Sequence, residues 1–389
     1  MSITVRYRPV DLTMERMIND ALDCLSSTVQ MNVDFTATKS DKFLGHAPSD
    51  DSLIAFAESL AIEGNDVEVR AKETLRKLLI AIHEHSGCPI DRFCVSGSCG
   101  HQPENANDLK GFDITVFVDC KASHGQAEAG PSEHMQCSIQ SAEKTYQALR
   151  PLIEHSTCDH LGMHFTLDGF NFHVAVTPSL GHKMHLQRKA VWDMIERKDK
   201  EGNLTQSDLD MMSISLHESL TSFMHMGDPV FHDLVRLARF WREHALLQQG
   251  CGELSTMATV LVMMRCIEDE KARGMAVSSP SGRGLKRQDG FRVKLVFTDF
   301  LKTLADLDNQ TITYQRFYEP DLIPERHTGA KPNILDPVNP WRNVIHNMTH
   351  EGIQWVKRHA SQSIKQIESS GSTLRDVFMV TKTERTKGV

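Results

Sequence analysis

The residues that most invite chemistry lie in "GSCGHQPENANDLKGFDITVFVDC", positions 97 to 120. A glycine-serine turn, Gly97 and Ser98, offers backbone N–H groups and a hydroxyl of the kind that cradle a phosphate. A polar loop follows, then an apolar strand with one carboxylate, Asp113, at its mouth. A carboxylate beside a phosphate cradle is suited to hold a magnesium ion, which takes hard oxygen ligands in near-octahedral geometry. One carboxylate is too few. Side chains two apart on a strand share a face, and the positions flanking Asp113 are Gly111 and Thr115. The candidate neighbouring strand, "FNFHVAVTP", supplies His173 and Ala175. Imidazole is a poor magnesium ligand, and a methyl group is none.

Other constellations have plainer readings. "EHSTCDHLGMH" contains His155, Cys158, His160 and His164, but no second half of a metal site accompanies them, and they read as surface residues. Cys94, Cys99 and Cys120 flank the strands and read as small buried side chains. Arg236, Arg239 and Arg242 recur at helical spacing, and read equally as the solvated side of an amphipathic helix or as residues with a cleft or RNA-binding role. "GRGLKR" reads as a flexible basic loop.

The elements that must position Asp113 follow from periodicity. Residues 11 to 30 and 66 to 87 read as amphipathic helices, the second stopped by Gly87 and Pro89. "DRFCVSG", "FDITVFVD" and "FNFHVAVTP" read as strands, with a helix "CSIQSAEKTYQALRPLIEH" between the last two. Residues 31 to 65 read as loop-rich. From residue 186 onward the pattern is helical, with a Gly/Ser/Pro and basic linker at 278 to 290. The segment "DPVFHDLVRLARFWREHALL" carries a start signal in Asp228 and Pro229. At 40% hydrophobic and 24% charged residues, the composition is that of a globular protein. The net charge of −8 argues against a dedicated nucleic-acid binder, which usually has a basic balance. Nine scattered cysteines fit a reducing compartment, cytosol or nucleus. The most apolar run, "MATVLVMM", is too short to span a bilayer.

The ordered set of glycine-serine turn, "FDITVFVD", "FNFHVAVTP", "LVRLARFWREH", "TITYQRFYEPDLIPE" and "KPNILDPVNPWRNV" resembles the 2′-5′-oligoadenylate synthetases, relatives of cyclic GMP–AMP synthase. The likeness runs from about residue 60 to 360. It implies an α+β, bilobal nucleotidyltransferase (polymerase beta-like) fold, with a small mixed-sheet core and a helical C-terminal lobe. The implied division is 1–185 and 186–389. It also implies a three-carboxylate site for two magnesium ions, in which Asp113 matches the second acid while the first and third fall on Gly111 and Ala175. The family's phosphate-contacting lysine after the turn falls on His101, and its donor-triphosphate lysine on Arg239. Its aromatic element falls on Phe317, Tyr318 and Glu319, where a base would stack. "ILDP" reads as a structural turn. The family's RNA-binding face retains Lys72, Arg76, Lys77 and Arg236, but "ALLQQGCGE" stands where a lysine cluster is expected.

These readings lead to a degenerate nucleotidyltransferase, a pseudoenzyme in nucleotide or RNA sensing or a scaffold that pairs with another protein, in the innate-immune setting of its relatives. No cofactor is expected; magnesium and ATP are implied only for an active enzyme. Double-stranded RNA is expected to bind weakly or not at all, and no membrane is implicated. The rival is a working template-independent nucleotidyltransferase making 2′-5′-oligoadenylate or a cyclic dinucleotide from ATP.

Overall fold

The computed structural model describes residues 12–31, 41–61, 65–97, 111–120, 131–159, 161–224, 229–246, 254–277, 292–314, 317–325, 327 and 332–379. Ser98, Cys99, His101, Asp228, the 278–290 linker and most of "LLQQGCGE" lie outside them. The chain forms two compact units, one comprising Met1–Val29, Gly64–Gly97 and Lys110–Phe223, the other Gln30–Glu63, Ser98–Leu109 and Met224–Val389. They divide late in the chain at 223/224, whereas the sequence reading divides it at 185/186.

The first unit is built on a five-stranded sheet of order β1-β2-β5-β4-β3. Its strands are β1 (Ile90–Gly97), β2 (Gly111–Val118), β3 (Glu154–Cys158), β4 (Met163–Leu167) and β5 (Phe170–Pro178). β2 runs parallel to β5 and antiparallel to β1. Helices α1 (Leu12–Met31), α3 (Asn65–His85) and α4 (Pro131–Leu149) bury Ile18, Leu75, Leu79, Ile82 and Leu149 with Phe112, Ile114, Val116, Phe172 and Val174 of the sheet. Alternation of side chains along a strand puts all of those sheet residues on one face.

The helix expected through "LRPLIEH" ends at Leu149, because Pro151 cannot continue it, and the chain resumes as β3. The histidine-rich segment is therefore a hairpin. Asp159 forms its turn by accepting hydrogen bonds from the Leu161 and Gly162 N–H groups at 2.7 and 3.0 Å. β4 returns to β5 through Asp168 and Gly169, both at positive φ (52° and 77°), as a two-residue hairpin between paired Leu167 and Phe170 requires.

The second unit is mostly helical. It contains α2 (Asp50–Ser59), α8 (Pro229–Trp241) with a π turn at Arg242–Leu246, α9 (Thr256–Val277), α10 (Val293–Ala305), α11 (His350–Glu368) and α12 (Leu374–Phe378). Between α4 and α8, in the first unit, lie α5 (Met184–Lys200), α6 (Gln206–Ser215) and α7 (His217–Met224). α2 falls where a loop was expected. Its capping box joins Ser49 and Ser52, and Leu53, Phe56 and Ala57 are buried. Phe56, Phe240, Phe297 and Phe378 form an aromatic cluster. Among the described residues no helix is long and apolar enough to cross a membrane.

Candidate functional site

Asp113 stands on β2 with Ser96 of β1 on one side and His173 of β5 on the other, each its direct cross-strand partner. Thr115, two residues on, has Cys94 and Ala175 as its partners, and His173 has His164 on β4. The same alternation that directs Phe112 and Ile114 to the core directs these residues to the opposite face. That face is covered too: Asp113 is 5% exposed and Ala175 2%. α6 packs on β2 and β5, and α7 brings in His217 and Thr221.

His217 is the residue that sequence reasoning missed. Its Nε2 lies 2.6 Å from Ser96 Oγ and its Nδ1 2.5 Å from Thr115 Oγ1, so one imidazole ties β1 and β2 to α7. Burial pushes its pKa down to about 4, against the opposing pull of the Asp113 carboxylate. The ring is therefore neutral, donating to one hydroxyl and accepting from the other. "SLHESL" contains no periodic or motif signal for this; only its placement under β2 does. Farther along the face, Thr177 Oγ1 meets Ser215 Oγ at 2.5 Å.

Around Asp113 itself, Oδ1 lies 3.2 Å from His173 Nδ1. The His173 ring stacks on His164, with centroids 4.3 Å apart and planes 10° from parallel. Burial, then the neighbouring His173, hold the His164 pKa below its ordinary value. His164 is thus not the surface residue expected from the sequence, whereas His155 and Cys158 are exposed. Among the described residues, the donors around Asp113 are one carboxylate, three imidazoles and two hydroxyls already bonded to an imidazole. That set does not fit hard, oxygen-demanding cations. No cluster of three or more His, Cys, Asp or Glu among the described residues is arranged to hold a metal ion.

The remaining sequence candidates are dispersed. Gly97 closes β1 opposite Phe112, while its partner in the turn, Ser98, is outside the described residues. Arg236 is 7% exposed; its Nε donates to the Ala57 carbonyl at 3.0 Å and its guanidinium pairs with Asp233 at 2.5 Å. Arg242 donates to the Leu254 carbonyl, and Arg239 is buried beside Glu243. These three arginines form neither a solvated helix side nor an open basic face, because they are folded into the interior of their unit. Tyr318 is 3% exposed and its hydroxyl accepts from the Tyr314 N–H at 3.2 Å. On α3, Arg76 pairs with Glu15 at 2.5 Å and Lys77 with Glu73 at 3.1 Å; Lys72 is half-buried.

"ILDPVNPWRN" is a self-bonded knot. Asp336, buried, accepts from the Val338 N–H at 2.9 Å and faces Arg342 Nη1 at 3.4 Å. Asn343 bridges the Ile334 N–H and the Pro332 carbonyl.

No family profile matches the chain, and no curated protein matches it in sequence. Solved structures do match. The E. coli MS115-1 CdnC with ATP has 15% identity and a TM-score of 0.50, covering 88% of this chain and 94% of that one. The Cid1 poly(U) polymerase with magnesium and 3′-dATP has 12% identity and a TM-score of 0.51, covering 85% and 98%. mtPAP in complex with UTP has 11% identity and a TM-score of 0.54, covering 90% and 77%. At such identities the likeness is one of fold. The chain has the nucleotidyltransferase fold.

Proposed function

We propose that this chain is an oligoadenylate-synthetase-like pseudoenzyme that acts as a binding partner, a scaffold that pairs with another protein, and no longer transfers nucleotides. The observation that carries this reading is the state of the face around Asp113. Two-metal transfer needs carboxylates that bridge both ions to the triphosphate and to the attacking hydroxyl. Here Asp113 faces an imidazole, Gly111 and Ala175 carry no ligand, and Thr115 is engaged by His217. A role as an RNA sensor has less support. Duplex affinity grows with the number of phosphates neutralised, and Arg76, Lys77 and Arg236 are paired with acids of the chain itself.

Activity assays test the reading directly. Purified protein with ATP and GTP, magnesium or manganese, and double-stranded RNA is expected to release no pyrophosphate above a heat-inactivated control. Turnover that disappears in Asp113→Ala would overturn it. Duplex RNA at physiological salt is expected to bind no tighter than non-specific association, on the order of 10⁻⁴ to 10⁻⁶ M.

A further inference from the structure

Far from Asp113, three thiols converge at the other end of the strands. Cys88 precedes β1, Cys120 follows β2, and Cys137 is on α4. Cys88 Sγ lies 3.4 Å from Cys137 Sγ, and Cys120 reaches Cys137 as well. From Asp113 to Cys120 the chain advances seven residues, roughly 23 Å of strand. This cluster is independent of the site above.

The approach of Cys88 to Cys137 is fixed by a stripe of α4. Cys137, Ser141 and Lys144 recur at i, i+4 and i+7, on one helix face, and each meets one residue of the turn before β1. Ser141 Oγ donates to the Ser86 carbonyl at 2.6 Å. The Lys144 side chain covers Gly87, where an added Cβ would sit 2.8 Å from Lys144 Cδ and where φ is +70°. Cys137 meets Cys88. Ser86 Oγ also donates to the Cys88 carbonyl at 2.5 Å, which braces the turn. Cys88 is half-buried, whereas Cys120 and Cys137 are buried, so Cys88 is the member a solute can reach.

We propose that Cys88 and Cys137 form a reversible dithiol–disulfide site that exchanges with low-molecular-weight disulfides of the glutathione type. The Cys88 thiolate attacks one sulfur of the reagent, forming a mixed disulfide and releasing one thiol. Cys137, losing its proton, then attacks Cys88 Sγ, forming the Cys88–Cys137 bond and releasing the second thiol. Two protein thiols are oxidised and one reagent disulfide is reduced to two thiols, so the step balances. Burial pushes the Cys137 thiol up from its ordinary range, which makes the second step the slow one. Once closed, the bond staples the turn before β1 to α4 across 49 residues of chain and constrains the unfolded state.

The full chain is to be equilibrated in buffers of reduced and oxidised glutathione, quenched with acid, alkylated and mapped by peptide mass spectrometry. The expected product is a Cys88–Cys137 cross-link, with a thermal midpoint raised by several degrees and reversed by reduced glutathione. Exposed Cys158 serves as the internal reference for simple thiolation. Cys137→Ala is expected to leave glutathione on Cys88, and Cys88→Ser to leave Cys137 unmodified. A stable mixed disulfide at Cys88 in the unaltered chain would overturn the proposal. So would a Cys120–Cys137 bond in its place, or a reduced Cys88 where Cys158 is fully thiolated.

Discussion

On one side of the five-stranded sheet, Phe112, Ile114, Phe172 and Val174 bury against α1, α3 and α4; one residue along the same strands, Asp113, Thr115, His173 and Ala175 bury against α6 and α7. Both faces exclude water, but by different physics. The apolar face is held by area and packing, which are non-directional and tolerate modest changes of shape. The polar face is held by hydrogen bonds, and a buried polar group deprived of its partner costs far more than the bond itself contributes. A face of the second kind is specific about what it accepts. Here His217 is bonded to Ser96 and Thr115, and His173 lies beside Asp113.

The largest effect is expected on the apolar side. Phe172→Ala, at a 2% exposed position between Phe112 and Phe165, should cost about 3–5 kcal/mol in urea unfolding. Equal losses from Phe172→Ala and Phe172→Leu would break the packing half of the comparison, because leucine refills much of the volume.

Next comes the pH dependence of the polar side. The His217 pKa is near 4 in the folded chain and about 6.5 when unfolded. The unfolded state therefore binds the extra proton first. The stability contributed by the neutral ring is complete above about pH 6.5 and is lost as pH falls toward 4. The integrated loss is roughly 3 kcal/mol. His164 and, in the second unit, His244 and His359 shift the same way through burial, so the diagnostic quantity is a difference. His217→Gln should flatten the acid limb relative to the unaltered chain. Parallel limbs in the two proteins would remove His217 from its assigned place.

Rebuilding the carboxylate set gives a smaller, ligand-dependent effect. The sequence resemblance points to Gly111→Asp with Ala175→Asp, but the cross-strand register sets His173, and not Ala175, directly opposite Asp113. Ala175 lies beside Thr115, whose hydroxyl His217 already occupies. Gly111→Asp with His173→Asp is therefore expected to gain more magnesium-dependent protection by ATP than the Ala175 pair. The gain would be about 2.7 kcal/mol if ATP reaches a hundredfold excess over its Kd. Better rescue by the Ala175 pair would show that the sequence alignment locates the third acid more truly than the strand register does.

Much of this was legible in the residues, for reasons that can be located. β2 and β5 announced themselves because both are long apolar runs bounded by turns. That β2 carries a single carboxylate on one face was legible because it depends only on residue type at period two. The β4–β5 hairpin was also legible, in the Asp168-Gly169 dipeptide between apolar stretches, and so was α2, in Ser49 followed by two acids and buried positions at Leu53, Phe56 and Ala57. Their signals are short and were outweighed by polar surroundings. His217 was illegible, because its role comes from contacts more than a hundred residues away in sequence. The arginines misled for a related reason: Arg236 recurs at the spacing of a solvated stripe, yet its guanidinium is taken by the Ala57 carbonyl and Asp233.

The smallest effect is expected at the residue with which the sequence argument began. Asp113→Asn removes a charge but keeps an acceptor oxygen, so the contact to His173 Nδ1, 3.2 Å away, can persist in nearly the same geometry. If Asp113 served magnesium, the substitution would abolish ligand-dependent stabilisation and leave basal stability unchanged or improved, since burying a carboxylate is costly. If it serves the sheet, the loss should be about 1 kcal/mol, the ordinary net value of one hydrogen bond, and should be the same with and without magnesium and ATP. Asp113→Ala sharpens the point. It leaves His173 without that acceptor and should cost more than the asparagine variant. A metal-ligand role would make the two substitutions equivalent in ligand response, whereas a role within the sheet makes them unequal in stability and alike in showing no ligand response at all. Thermal unfolding of the three proteins, in magnesium–ATP and in EDTA, separates the two cases in one experiment.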